Sequence, residues 1–151
     1  MALWDQLKER AADMSATAKT QVGKFKNKDF ANASMAVCAL IAAADGTITS
    51  DEKAKTAGFI TSNDVLSIFP AGELQERFTH YAGKLEADYD FGKVEAIQAI
   101  SKLKGKPDAA RAVIQVGIII GGADGDFDED EKRAVREACN AVGIAPTEFD
   151  L

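Results

Sequence analysis

Two short acidic segments carry the side chains best suited to chemistry. The first acidic turn, residues 44–53, reads ADGTITSDEK, and the second acidic turn, residues 123–132, reads ADGDFDEDEK. Carboxylates grouped this closely repel one another unless water, salt or a bound ion screens them, and oxygen-only ligand sets suit hard cations. We expect a divalent cation here, Ca²⁺ in preference to Mg²⁺. The candidate metal ligands are Asp45, Glu52, Asp124, Asp126, Asp128 and Glu131.

The two turns differ in acid content, and the second is not an EF-hand. The first turn has Thr47 and Thr49 where the second has Asp126 and Asp128, so we expect it to bind more weakly or to lend ligands to a shared site. The second turn begins like a calcium loop, but Glu129 stands at position 6, where that loop needs glycine.

Some of the same residues also have a purely structural interpretation. Thr49 with Glu52, and Asp128 with Glu131, have the spacing of a capping box, in which the side chains at the start of a helix bond to its free N–H groups. Capping does not account for Asp45, Asp124 or Asp126. Metal binding and capping therefore remain alternatives for part of this set.

The acidic turns belong to a longer internal repeat. A 25-residue window is identical at eleven positions when displaced by 79 residues, which predicts a duplication with repeats at 29–60 and 108–142. Each repeat begins with an apolar helix, Phe30–Ala44 or Ala109–Ala123, and no segment shows strand-like alternation. We expect an all-α compact bundle of seven to eight helices in two related halves, with the two apolar helices at its centre.

Charge divides the chain into two parts. Residues 1–28 carry a net charge of +3, and residues 29–151 carry −9, so we separate an N-terminal helix and basic segment from the helical domain. In the former, Leu3, Trp4 and Leu7 beside basic residues are typical of a peripheral membrane or partner contact, although a plain surface helix has the same pattern. The acidic domain disfavours nucleic acid and favours cations or basic partners.

Little in the sequence indicates catalysis. Cys38 and Cys139 each lie in an apolar helical pattern, which predicts buried thiols in a reducing compartment and disfavours a thiol-based reductase. We expect His80, the single histidine, to pack against its apolar neighbours. These residues cannot form a zinc site, and no nucleophile–base pair stands out. The sequence has no secretory signal and no apolar segment long enough to span a membrane, which predicts a cytoplasmic protein. Because no catalytic group is evident, we also expect that the protein is not an enzyme.

The duplicated Ala-Asp-Gly and Asp-Glu-Lys triplets of the two acidic turns resemble the TerB-like family of tellurite-resistance proteins. The run VGKFKN at 22–27 and the closing EFDL at 148–151 add to the resemblance, which covers essentially the whole chain. It implies a bacterial cytosolic helical domain with an acidic surface for divalent cations, whose ligands would include Asp45 and Glu52 in the first turn. Asp124 and Glu131 would be their counterparts in the second.

The resemblance also implies partners. It places the protein in the Ter stress system, beside a membrane-embedded TerC-type protein and TerD-type proteins. This protein would then lie at the periphery of the inner membrane. The function expected is an accessory protein of tellurite resistance and stress response that binds divalent cations and docks to a membrane-associated Ter complex. The alternative is a metal-independent interaction module whose acidic face binds a basic partner.

Overall fold

Helices form the regular structure of the part of the chain that can be described. A computed structural model describes residues 27–63, 66–123, 125 and 127–151. Within these residues there are six α-helices and no strand, which confirms the all-α class. The helix expected within residues 1–28 lies outside the described residues. The observed elements are α1 (Lys28–Ala42), α2 (Ser50–Ser62), α3 (Ala71–Ala87), α4 (Tyr89–Ser101), α5 (Pro107–Gly121), α6 (Glu129–Val142) and a 3₁₀ helix (Pro146–Phe149).

The two apolar helices α1 and α5 lie at the centre, as predicted. Because each is apolar on nearly every face, each must be surrounded by other helices, and α1 packs against α3, α4, α5 and α6. A Cβ atom added to Gly117 would meet the side chain of Val37, and one added to Gly121 would meet Ile41. The two helices therefore run side by side in the same direction, and their C-terminal ends meet.

Two pairs of positions that are 79 residues apart are buried in the two central helices. Val37 and its counterpart Val116 are 1% and 0% exposed, and Ile41 and Ile120 are 4% and 2% exposed. The two helices thus use the same register of side chains to face the core.

Side-chain caps place some helix ends two residues from the predicted positions. We expected the first apolar helix at Phe30–Ala44, but α1 begins at Lys28 because Asn27 Oδ1 accepts a hydrogen bond from Phe30 N at 2.9 Å. Asp88 caps α4 in the same way, with its Oδ1 accepting from Phe91 N at 3.2 Å. Polar residues that cap a helix extend it beyond its apolar stripe.

Two further observations concern the surface. His80 is exposed, and its Nε2 lies 2.6 Å from Glu95 Oε1. Its ring makes an edge contact with the ring of Tyr81, with 5.1 Å between the centroids, so it packs against one predicted neighbour from the surface. Its neighbour Tyr81 takes the buried position on α3 instead. In the part of the chain covered by the structure, no helix is both long enough and apolar enough to cross a membrane.

Candidate functional site

The two acidic turns share two backbone features at their glycines. In the first turn, Gly46 N donates to Ala43 O at 2.9 Å, and in the second Gly125 N donates to Gly122 O at 3.0 Å. Gly46 and Gly125 have φ angles of 93° and 85°, a left-handed conformation that glycine adopts without steric cost. Each glycine therefore lies just after the end of a central helix, in the segment that leads to the next helix.

Both predicted capping boxes are confirmed. Thr49 Oγ1 accepts from Glu52 N at 3.1 Å, and Glu52 Oε1 accepts from Thr49 N at 3.0 Å. Asp128 Oδ1 accepts from Glu131 N at 2.8 Å, while Glu131 Oε1 accepts from Asp128 N at 3.1 Å. These bonds fix the first turns of α2 and α6 and orient the four side chains.

One buried apolar residue anchors each turn to the core. Ile48 is 7% exposed and Phe127 is 3% exposed, and each immediately precedes the residue that caps the next helix. A Cβ atom on Gly121 would lie 3.2 Å from Phe127 Cε2, which places the Phe127 ring against the last turn of α5.

The capping boxes give a first test of how the turns are held. We expect Thr49→Ala and Asp128→Ala each to lower the free energy of unfolding by about 1 kcal/mol, because each leaves a helix N–H group without its acceptor. Glu52→Gln and Glu131→Gln should have little effect, since glutamine can also complete a capping box. Urea denaturation measures all four. Equal losses from the alanine and glutamine substitutions would contradict this assignment of roles.

The two turns meet around one cavity of about 260 Å³, here called the acidic cavity. Four of the six predicted ligands line it: Asp45, Glu52, Asp128 and Glu131. The other two, Asp124 and Asp126, lie outside the described residues. The sequence therefore identified carboxylates from both turns that the fold brings to a common space.

The acidic cavity has a buried apolar floor beneath its carboxylates. Cys38, Ile41 and Ile120 line it and are 1%, 4% and 2% exposed. Asp45 and Asp128, by contrast, are exposed to solvent. The cavity is therefore acidic at its rim and apolar at its depth.

Some residues of the cavity were not predicted. Asp130, regarded from the sequence only as favourable in a first helical turn, also lines the cavity and accepts from Arg133 Nη2 at 2.9 Å. Lys55, Thr56 and Phe59 enter it from α2. These three follow Glu52 at helical spacing, a signal that was available in the sequence.

Arg133 bridges the two turns. Its Nη2 atom lies 3.5 Å from Ala44 O in the first turn and 2.9 Å from Asp130 Oδ1 at the start of α6. The guanidinium group therefore connects the end of α1 to the beginning of α6 beside the cavity.

The rim carboxylates are partly engaged by the protein. In Asp45, Glu52, Asp128 and Asp130, the observed hydrogen bonds all use one oxygen. The second oxygen of each makes no hydrogen bond within the part of the chain that the structure describes. Among all the residues that the structure describes, no three His, Cys, Asp or Glu side chains are grouped closely enough to hold a metal ion.

The thiols are poor nucleophiles. Cys38 and Cys139 are both buried and free. Burial raises the pKa of Cys38 to about 12, and burial together with the nearby Glu148 carboxylate raises the pKa of Cys139 to about 12. Because the thiolate is the reactive form, this environment disfavours thiol chemistry at neutral pH.

These features define a small all-α domain with an acidic cavity between two similar turns. The family model described as "Tellurite resistance protein TerB" matches residues 31–151, and the chain therefore belongs to the TerB family of tellurite-resistance proteins. A similar curated protein, "Tellurium resistance protein TerB" from Alcaligenes sp, is 36% identical over 118 residues, which cover 78% of this chain and 97% of that protein. No solved structure matches the chain.

Proposed function

We propose that this protein is a non-enzymatic accessory protein of tellurite resistance and stress response, and that its acidic cavity binds a divalent cation. The observation that carries the proposal is the convergence of Asp45 and Glu52 with Asp128 and Glu131 on one cavity. Such a group of carboxylates attracts cations and is stabilised by their binding. We interpret the similar turns as products of an internal duplication that contributes ligands from both halves to a shared site.

Ion binding would control docking. A cation between the turns would fix the end of α1 relative to the beginning of α6, and so would alter the acidic surface that a partner meets. We propose that this surface docks to a membrane-associated complex of TerC-type and TerD-type proteins. Residues 1–28 would add a peripheral contact at the inner membrane from the cytoplasmic side.

Calorimetric titration with Ca²⁺, then Mg²⁺, tests ion binding on protein stripped with a chelator. We expect saturable heat and a raised melting temperature, because a ligand that binds only the folded state stabilises it. The double substitution Asp45→Asn, Asp124→Asn should abolish both effects. Glu76→Gln, the same kind of charge removal at an exposed site outside the cavity, should leave them unchanged.

Absence of heat at millimolar Ca²⁺ would overturn the ion site and favour a second function. In that case the domain would be a metal-independent interaction module whose acidic face binds a basic partner. The partial use of four rim carboxylates by the protein itself supports this second function, as does the lack of a metal-holding group among the described residues. Under it, Asp124→Asn should only modestly weaken docking.

A further inference from the structure

The acidic cavity has more space and more apolar surface than a single metal ion uses. Its volume of about 260 Å³ is several times the roughly 30 Å³ that one water molecule occupies in the liquid. Ile41 and Ile120 at its floor are aliphatic, and they offer a bare ion nothing that it can bind. A ligand that contacts both floor and rim must carry an apolar part as well as a charged group.

The charges around the cavity specify the sign of that group. Five carboxylates line it, against the single ammonium group of Lys55. The ligand that complements this lining is a cation. Because aliphatic and carboxylate groups line the same cavity, a ligand that uses both carries an apolar stem next to its charged group.

The remaining oxygen atoms indicate the shape of the charged group. Asp45, Glu52 and Asp128 each use one oxygen in the bonds that hold the turns, and each has a second oxygen without a hydrogen bond in the described structure. A guanidinium group prefers both oxygens of one carboxylate, whereas an ammonium group directs three separate donors at single oxygens. Single oxygens from several carboxylates therefore suit an ammonium group.

We infer that the acidic cavity binds the side chain of a lysine presented by a partner protein, with its ammonium group among the carboxylates and its methylene stem against the apolar lining. The inference rests on the proposal that this cavity binds cations, and it adds a partner of defined chemistry. Since the same carboxylates would hold either cation, the lysine and the divalent ion compete. A rise in ion concentration would then release the partner.

Methyl NMR of Ile41 and Ile120 tests the inference with blocked tripeptides. Acetyl-Ala-Lys-Ala-amide is the probe, and the analogue with norleucine in place of lysine has a similar stem without charge. We expect saturable shifts of both methyl signals with the lysine peptide, weaker binding of the arginine analogue, and no shift with norleucine. Methylammonium, which has the charge without the stem, should bind more weakly than the lysine peptide.

Substitutions at the rim then connect the signal to the carboxylates. Glu52→Gln with Glu131→Gln, which can still form both capping boxes, should weaken binding of the lysine peptide by about tenfold or more, because charge-assisted bonds are lost. Glu76→Gln should not change it. Equal shifts from the norleucine and lysine peptides, or unchanged binding in the double glutamine variant, would overturn the inference.

Adding Ca²⁺ separates this inference from the ion proposal. Ca²⁺ should displace the lysine peptide from the unmodified protein and return the methyl signals to their starting positions. If Ca²⁺ binds by calorimetry but the lysine peptide causes no shifts, the lysine inference fails and the ion proposal stands. If the peptide binds in the absence of any Ca²⁺ heat, the ion proposal fails and the lysine site stands without its competitor.

Discussion

Replacing Gly92 with alanine is expected to lower the free energy of unfolding by about 2–3 kcal/mol, because the added methyl group has no space. Gly92 lies buried in the first turn of α4, directly against the last turns of α3. Its Cβ atom would lie 2.6 Å from Leu85 N and 2.7 Å from Leu85 Cα. Backbone atoms cannot rotate away as a side chain does, so the two helices must separate.

A second glycine provides the matched control. Gly83 lies on the exposed side of α3, and a Cβ atom there would meet nothing within 4 Å. Gly83→Ala should therefore raise the free energy of unfolding by about 0.5–1 kcal/mol through helix propensity alone. Urea denaturation with a shared m-value measures both variants. If Gly92→Ala were as stable as Gly83→Ala, the close approach of α3 and α4 would be disproved.

The fold could be predicted where local rules dominate. The near-continuous apolar character of α1 and α5 indicated their central place, and the spacing of Thr49 with Glu52 indicated the cap that the structure has. Helix ends were less certain because Asn27 and Asp88 act as caps through a single side-chain bond, a possibility that many polar residues share. It is thus easier to predict that a segment forms a buried helix than to predict the residue at which the helix begins.

The candidate site could be predicted only in parts. Each acidic turn was visible in the sequence, but their meeting depends on α1 and α5 lying parallel, which is decided by the contacts of Gly117 with Val37 and of Gly121 with Ile41. No local pattern encodes such a packing choice. Lys55 and the apolar floor became part of the site through the same packing.

The anchors of the two turns were also missed, since one apolar residue inside an acidic segment has no periodicity to mark it. Ile48 and Phe127 are nevertheless buried and hold the turns to the core. His80 is the converse case, because Phe78 and Tyr81 are buried while His80 stays exposed and only touches the edge of the Tyr81 ring. Neighbours in sequence share a helix, but not necessarily a side of it.

Replacing Phe127 with alanine is expected to have the largest effect of all, lowering the free energy of unfolding by about 3–4 kcal/mol. The ring is 3% exposed and lies against the last turn of α5, so its removal leaves a cavity that the helix cannot fill. Because Asp128 follows directly, we also expect the rim of the acidic cavity to lose its fixed position. Urea denaturation measures the first effect, and Ca²⁺ calorimetry on the folded variant measures the second.

The same substitution at Phe91 distinguishes anchoring from the mere loss of an aromatic ring. Phe91 is 77% exposed on α4, and its replacement by alanine should change stability by no more than about 0.5 kcal/mol. Phe127→Leu should recover much of the stability lost in Phe127→Ala, since a leucine side chain fills part of the same space. If the alanine variants at 127 and 91 were equally stable, the second turn would be held by its capping box alone. Cation binding would then depend on Asp128 and Glu131 without help from the core.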